Sequence, residues 1–133
     1  SEMRDTVGLV MMAMGIDPSE IDEAGMNAAL DRIQGAVDSG QIRQFTGNEY
    51  LDPLNNGNFV ACIAWSGDIA NSVTNPDVHF VIPDEGGMSW FDTMVIPKGA
   101  ANAVAAAAWM NFVYDPVQAA QITKYNNFVS PVV

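Results

Sequence analysis

The run Phe59-Val60-Ala61-Cys62-Ile63-Ala64-Trp65, followed by Ser66-Gly67-Asp68, is the strongest architectural signal in the chain. An almost unbroken apolar segment of this length fits a strand buried on both faces, as in a parallel sheet covered by helices. Its end falls at Trp65, where a turn leads into a brief helix expected over 67–72. In open α/β sheets ligands bind beyond the carboxyl ends of the strands, so Trp65, Ser66 and Asp68 stand where a ligand is expected. Gly67 has no Cβ and lets backbone come close to a ligand, while Asp68 is suited to capping the helix that follows.

Reading outward from this run, Asn75-Pro76 breaks the chain before a second strand over 78–82, which Pro83 stops. After the Gly86-Gly87 turn, 88–96 reads as a third strand. Alternate residues of a strand share a face, so Trp90 and Asp92 are expected on one side and Phe91 and Thr93 on the other. The closing part reads as two helices: an Ala-rich one over 101–114, and a second that Asp115 and Pro116 start and that runs to about Tyr125. Upstream, Val7, Val10, Met11 and Met14 form a helical stripe over 4–14 that Gly15 ends. A turn at Asp17-Pro18-Ser19-Glu20 precedes a second amphipathic helix over 26–37, which carries Ala29, Leu30, Ile33 and Val37 and closes at Ser39-Gly40. A short strand is expected over 41–46, then a short helix around Tyr50, Leu51 and Leu54 that ends at Asn55-Asn56-Gly57. Strands interleaved with helices predict an α/β architecture. No internal repeat and no low-complexity linker interrupts it.

The chain has 133 residues, about one domain, and 49% of them are hydrophobic, enough for a core. Sixteen acidic against five basic residues leave a net charge of −11, which repels nucleic acid and anionic lipid and draws cations. The same acidity also serves solubility. No apolar run reaches the roughly 18 residues that span a bilayer, and no charged-then-apolar leader opens the sequence. The expectation is a cytosolic protein, or one whose export segment has been removed. Cys62 is the only cysteine and reads as a reduced core residue, and the eight methionines read mainly as core filler on helical stripes.

Two strings carry the chemistry. Trp65-Ser66-Gly67-Asp68 and Trp90-Phe91-Asp92 each set an indole two or three residues before a carboxylate. An aromatic face beside an anion can hold an ammonium ion, the indole contributing about 0.5–2 kcal/mol and a charged hydrogen bond a net of about 1.5–3 kcal/mol. The competing reading makes Trp90 an ordinary core residue, Asp92 a strand-end residue and Asp68 a helix cap. Glu2 and Asp5, three apart, read as acids sharing one face at a helix start. Catalytic chemistry finds little support. Ser66 lies outside any Gly-x-Ser-x-Gly elbow, His79 has no second ligand at metal spacing, and Gly86-Gly87 fits neither phosphate-loop pattern. No cofactor is expected.

The strings Ala64-Trp65-Ser66-Gly67-Asp68, Pro83-Asp84-Glu85-Gly86-Gly87-Met88, Trp90-Phe91-Asp92-Thr93-Met94-Val95-Ile96-Pro97, Ala108-Trp109-Met110-Asn111-Phe112 and Tyr114-Asp115-Pro116, in this order, resemble the later part of the spermidine/putrescine-binding proteins. These are solute receptors that feed polyamines to ABC importers. The likeness runs from Arg4 to Pro131. It implies a bilobed receptor of the type II periplasmic-binding-protein class, with aromatic walls around the methylene chain of the ligand and carboxylates on its amines. Carried over, Trp65 and Trp90 match the walls and Asp92 matches a carboxylate on a terminal amine. Asp68 matches an acid of the putrescine-type members, and Ser66 adds an oxygen beside it. Glu2 and Asp5 fall where members place acids near a helix of the second lobe. Phe128 aligns with a cleft tyrosine of one member type, so that hydroxyl is missing.

The resemblance also implies that the chain is a fragment lacking most of the first lobe. Residues 1–90 would be second-lobe sheet and helices, and 91–133 the return strand and closing helices that complete the first lobe. The uncovered apolar face of those closing helices would then be met by another copy, a swapped dimer or a complementing first-lobe chain. The implied partners are a polyamine or other small cation and a membrane ABC permease, with no nucleic acid. The implied location is extracytoplasmic, in the periplasm or lipid-anchored at the cell surface. Two alternatives stand beside this reading: a receptor of the same fold for another small solute, and a small α/β enzyme acting on an amine with Asp68 or Asp92 as general base.

Overall fold

The structure, a computed structural model, describes residues 2–132. Six α-helices are present among them: α1 (Met3–Ala13), α2 (Glu23–Asp38), α3 (Leu51–Asn55), α4 (Ser66–Ser72), α5 (Ala103–Val113) and α6 (Pro116–Asn126), with a 3₁₀ turn at Pro18–Glu20. The chain divides into two compact units. The first holds the residues up to Ala64 together with Val73–Ser89, and the second holds Trp65–Ser72 and the residues from Trp90 onward.

In the first unit α1 packs on α2. Val7, Met11 and Ala29 are fully buried between them, with Val10, Ile16, Met26 and Ile33 packed around. These are the stripe positions expected from the 3.6-residue period. The turn between the helices is made by side chains. Asp17 accepts from the Ser19 N–H at 2.8 Å, and Asp22 accepts from the Gly25 N–H at 2.7 Å, so each satisfies a donor that a helix start leaves unpaired. Gly86 holds φ +109°, and the ε-methyl of Met12 lies 2.6 Å from where a Cβ there would stand. A side chain at that position would meet both the wrong backbone region and the methionine. Met88 lies against Gly8 in the same way, so the Gly86–Met88 segment is seated on α1. The end of α3 is clasped to the chain beyond α4: Asn55 Oδ1 accepts from the N–H groups of Thr74 and Asn75, and Asn75 Nδ2 donates back to the Asn55 carbonyl at 3.1 Å.

In the second unit α5 packs on α6, and α6 packs on α4. Asp115 caps α6 by accepting from the N–H groups of Val117 and Gln118, with Pro116 pre-set at the first position. The core here is small: Ala119 of α6 and Gly67 of α4 are buried, while α5 forms on alanine propensity and has no buried residue.

The expected sheet is not formed. No strand occurs among the described residues, so the expected strands at 41–46, 59–65, 78–82 and 88–96 are corrected to irregular chain, and helices with irregular connections stand where the α/β reading expects a sheet. Hydrophobic pattern reports what a segment could bury; a strand exists only when a neighbour pairs with its N–H and C=O groups. With no such neighbour in place, Val60, Ile63, Val81, Ile82, Phe91 and Val95 lie exposed. Cys62 is exposed as well rather than a core residue, because it rides on the unpaired run. Three methionines, Met3, Met14 and Met94, are likewise exposed instead of filling a core.

Candidate functional site

The aromatic residues singled out from sequence converge within the second unit. Trp65 immediately precedes α4 and Trp90 opens the segment that leads to α5. Their ring centroids stand 4.5 Å apart with an interplanar angle of 64°, an edge-to-face pair. Such a contact is worth about 0.5–1.5 kcal/mol beyond area burial, and it sets a negative ring face beside a positive ring edge. Trp65 is half-buried, whereas Trp90 keeps 45% of its surface open. The pair is therefore held by the protein on one side and reachable from solvent on the other.

A third ring completes the group. Phe128 lies edge to face with Trp90, centroids 6.3 Å apart at 75°. Its placement is built by α4 and the end of α6. Asn71 Nδ2 donates to the Asn126 carbonyl at 2.8 Å, and Asn127 Nδ2 donates to Asn71 Oδ1. Asn127 ends α6 in the left-handed region at φ 56°, a conformation asparagine tolerates better than most residues, and the Phe128 N–H then donates to Asn126 Oδ1 at 3.0 Å. The chain is thereby turned back over α4, and the Phe128 ring comes to rest on Gly67. The space left by the missing Cβ of Gly67, where close approach of a ligand is expected, is taken by the protein's own phenyl ring. By sequence Phe128 is only the counterpart of a tyrosine. Its local signal was the Asn126-Asn127 pair at the end of a helical pattern, which marks a left-handed turn without saying where the next side chain lands.

Of the acids, Asp68 and Asp92 belong to the same unit as these rings. Asp68 is half-buried in the first turn of α4, two residues inside the helix start, so it does not occupy the capping position expected of it. A carboxylate there still meets the positive end of the helix dipole. Ser66 opens α4 and is exposed. Asp92 is exposed two residues beyond Trp90, but no strand forms there, and the expected alternation of faces with Phe91 and Thr93 does not apply. Glu2 and Asp5 belong to the first unit. Glu2 flanks the start of α1 in extended backbone at the capping position, and Asp5 sits in its first turn. Two clefts of the first unit, about 260 and 370 Å³, are lined by residues such as Asp31 and Arg32 or Met12 and Glu85, and none of the aromatic group lines either. Among the described residues no cluster of His, Cys, Asp and Glu could hold a metal ion. No helix among them is long and apolar enough to cross a membrane. Chemically, the second unit offers ring faces and edges for an alkyl chain or cation, with carboxylates near in sequence to each indole.

The family model of the bacterial extracellular solute-binding proteins matches residues 4–133. The putrescine-binding periplasmic protein SpuD of Pseudomonas aeruginosa is 35% identical over 94 residues, which cover 65% of this chain and 26% of that protein. The putrescine-binding periplasmic protein PotF of Escherichia coli is 33% identical over 91 residues, covering 63% of this chain and 25% of that one. The spermidine/putrescine-binding periplasmic protein of Escherichia coli is 23% identical over 132 residues, covering 98% of this chain and 37% of the relative. The chain thus spans between a quarter and somewhat over a third of the length of these relatives. No solved structure gives a significant match.

Proposed function

The chain belongs to the bacterial extracellular solute-binding protein family, and on that premise we propose that it is a polyamine-recognising part of a receptor for ABC-type import. The observation that carries this reading is the Trp65–Trp90 pair, closed to 4.5 Å inside one unit, with Asp68 three residues after one indole and Asp92 two residues after the other. The names of the relatives, putrescine- and spermidine/putrescine-binding proteins, support the ligand class.

The physical logic is differential. An alkyl diamine must give up water at each ammonium group, and a site recovers that cost only by supplying negative charge and polarisable surface at both ends. Indoles cover the methylene chain and attract the cation through the ring quadrupole; carboxylates accept the N–H donors. Asp68 and Asp92 are the acids assigned to the amines, and Ser66 supplies a hydroxyl at the same turn. The net charge of −11 raises the local concentration of cations around the protein. No catalysis is part of this reading. The receptor would work outside the cytoplasmic membrane, anchored by lipid or held in the periplasm, and pass its ligand to a membrane permease.

The test is calorimetric titration of the chain with putrescine and spermidine, beside a neutral diol of matched length and an amino acid. Saturable heat with the amines and none with the diol is expected. Binding of the diol or amino acid in preference to the amines would overturn the polyamine assignment.

A further inference from the structure

We propose that Gly67 and Phe128 form a positioning pair that sets the angle and separation of the Trp65–Trp90 indoles. Its functional weight rests on the polyamine reading above; its structural content does not.

The argument begins with volume. A Cβ built on Gly67 would meet three atoms of the Phe128 ring at once, Cδ2 and Cζ at 2.6 Å and Cε2 closer still. Carbon atoms rest about 3.5–4.0 Å apart, so even one methyl group there evicts the ring. Three ring atoms are engaged together, and a planar ring offers no flexible end that could bend aside. The ring cannot retreat with its backbone either. The Phe128 N–H is held by Asn126 Oδ1, the preceding residue is fixed at φ 56°, and the end of α6 is tied to Asn71 on the same short helix that carries Gly67. Phe128 is thus clamped between the backbone of α4 and the indole of Trp90, and Trp90 in turn leans on Trp65, which enters α4 directly. The loop of contacts closes on itself: Gly67 seats Phe128, Phe128 sets Trp90, and Trp90 meets Trp65 two residues before Gly67. Aromatic walls held in advance lose less rotamer freedom when a ligand arrives, which is how a positioning residue can alter affinity.

The sign of the expected effect separates this role from ordinary helix stability. Glycine to alanine inside a helix stabilises when nothing opposes it, because alanine loses less backbone freedom on folding. A loss on Gly67→Ala therefore reports the ring and not the helix.

The experiment compares the full chain with Gly67→Ala, Phe128→Ala and the double variant, reading the exciton couplet of the paired indoles by circular dichroism and putrescine affinity by calorimetry. Gly67→Ala should shrink the couplet and weaken putrescine about 3- to 10-fold, the range for loss of one ordered aromatic contact. Phe128→Ala should do the same, and adding Gly67→Ala to it should cost nothing more. If Gly67→Ala alone fails to fold, Phe128→Ala and the double variant still decide, since both must show the same reduced couplet. A wild-type couplet in Gly67→Ala or in Phe128→Ala, or an equal further loss when Gly67→Ala is added to Phe128→Ala, overturns the positioning pair. If wild type and variants all fail to bind putrescine but the couplet follows the expected pattern, the positioning pair stands and the polyamine reading falls.

Discussion

Asn71 of α4 donates a 2.8 Å hydrogen bond to the carbonyl of Asn126, 55 positions later at the end of α6. That carbonyl is one of those a helix end leaves unpaired, and Asn71 Oδ1 also receives the side-chain N–H of Asn127. One amide side chain therefore joins two helices and fixes the turn that delivers Phe128.

Asn71→Ala removes both bonds. A typical intramolecular hydrogen bond is worth a net of about 0.5–1.5 kcal/mol, and these lie at the surface, so a loss of about 1 kcal/mol is expected. All three tryptophans belong to this unit, so urea unfolding followed by tryptophan emission reads the change directly. An unshifted midpoint would remove Asn71 from the framework of the site.

Met11 is fully buried between α1 and α2 and is the largest side chain so enclosed. Met11→Ala leaves a cavity among Val7, Ala29 and their neighbours and should destabilise by about 2–4 kcal/mol. Thermal unfolding followed by helical circular dichroism checks this. Met11→Leu, which keeps the volume, should cost less than about 1.5 kcal/mol.

Asp92→Asn keeps shape and removes charge. Under the polyamine reading, putrescine affinity should fall by about tenfold or more, the loss of one charge-assisted hydrogen bond. Asp68→Asn should weaken it in the same direction. Calorimetry that finds both variants at wild-type affinity would take the carboxylates out of the site.

Cys62 is exposed, yet partial desolvation pushes its thiol above the ordinary value, because surroundings poor in water disfavour the thiolate. The reactive species is the thiolate, so at neutral pH Cys62 should alkylate more slowly than a free cysteine, and the midpoint of its pH–rate curve should lie on the alkaline side of the free thiol. A midpoint on the acid side would mean that a positive group governs the thiol instead.

Helices were legible from sequence because their causes are local. The spacing of Val7, Val10 and Met11, the Asp115-Pro116 start and the Asn55-Asn56-Gly57 stop each act through bonds spanning a few residues, and the helices formed within two or three residues of the expected limits. The strand readings at 59–65, 78–82 and 88–96 failed for the opposite reason. Nothing within Phe59 to Trp65 can supply the ladder that would make it a strand, and no other described segment pairs with it.

The candidate site divides along the same line. Sequence alone determined the ingredients: two indoles set two or three residues before carboxylates, a strongly negative charge, and a likeness to polyamine-binding proteins carried by ordered strings of residues. Only the tertiary structure decided that Trp65 and Trp90 touch, that the second unit holds both, and that the space above Gly67 belongs to Phe128. Spacing along a chain governs what neighbours in sequence can do, whereas the meeting of residues 65, 90 and 128 depends on how separate segments pack, which no local rule contains.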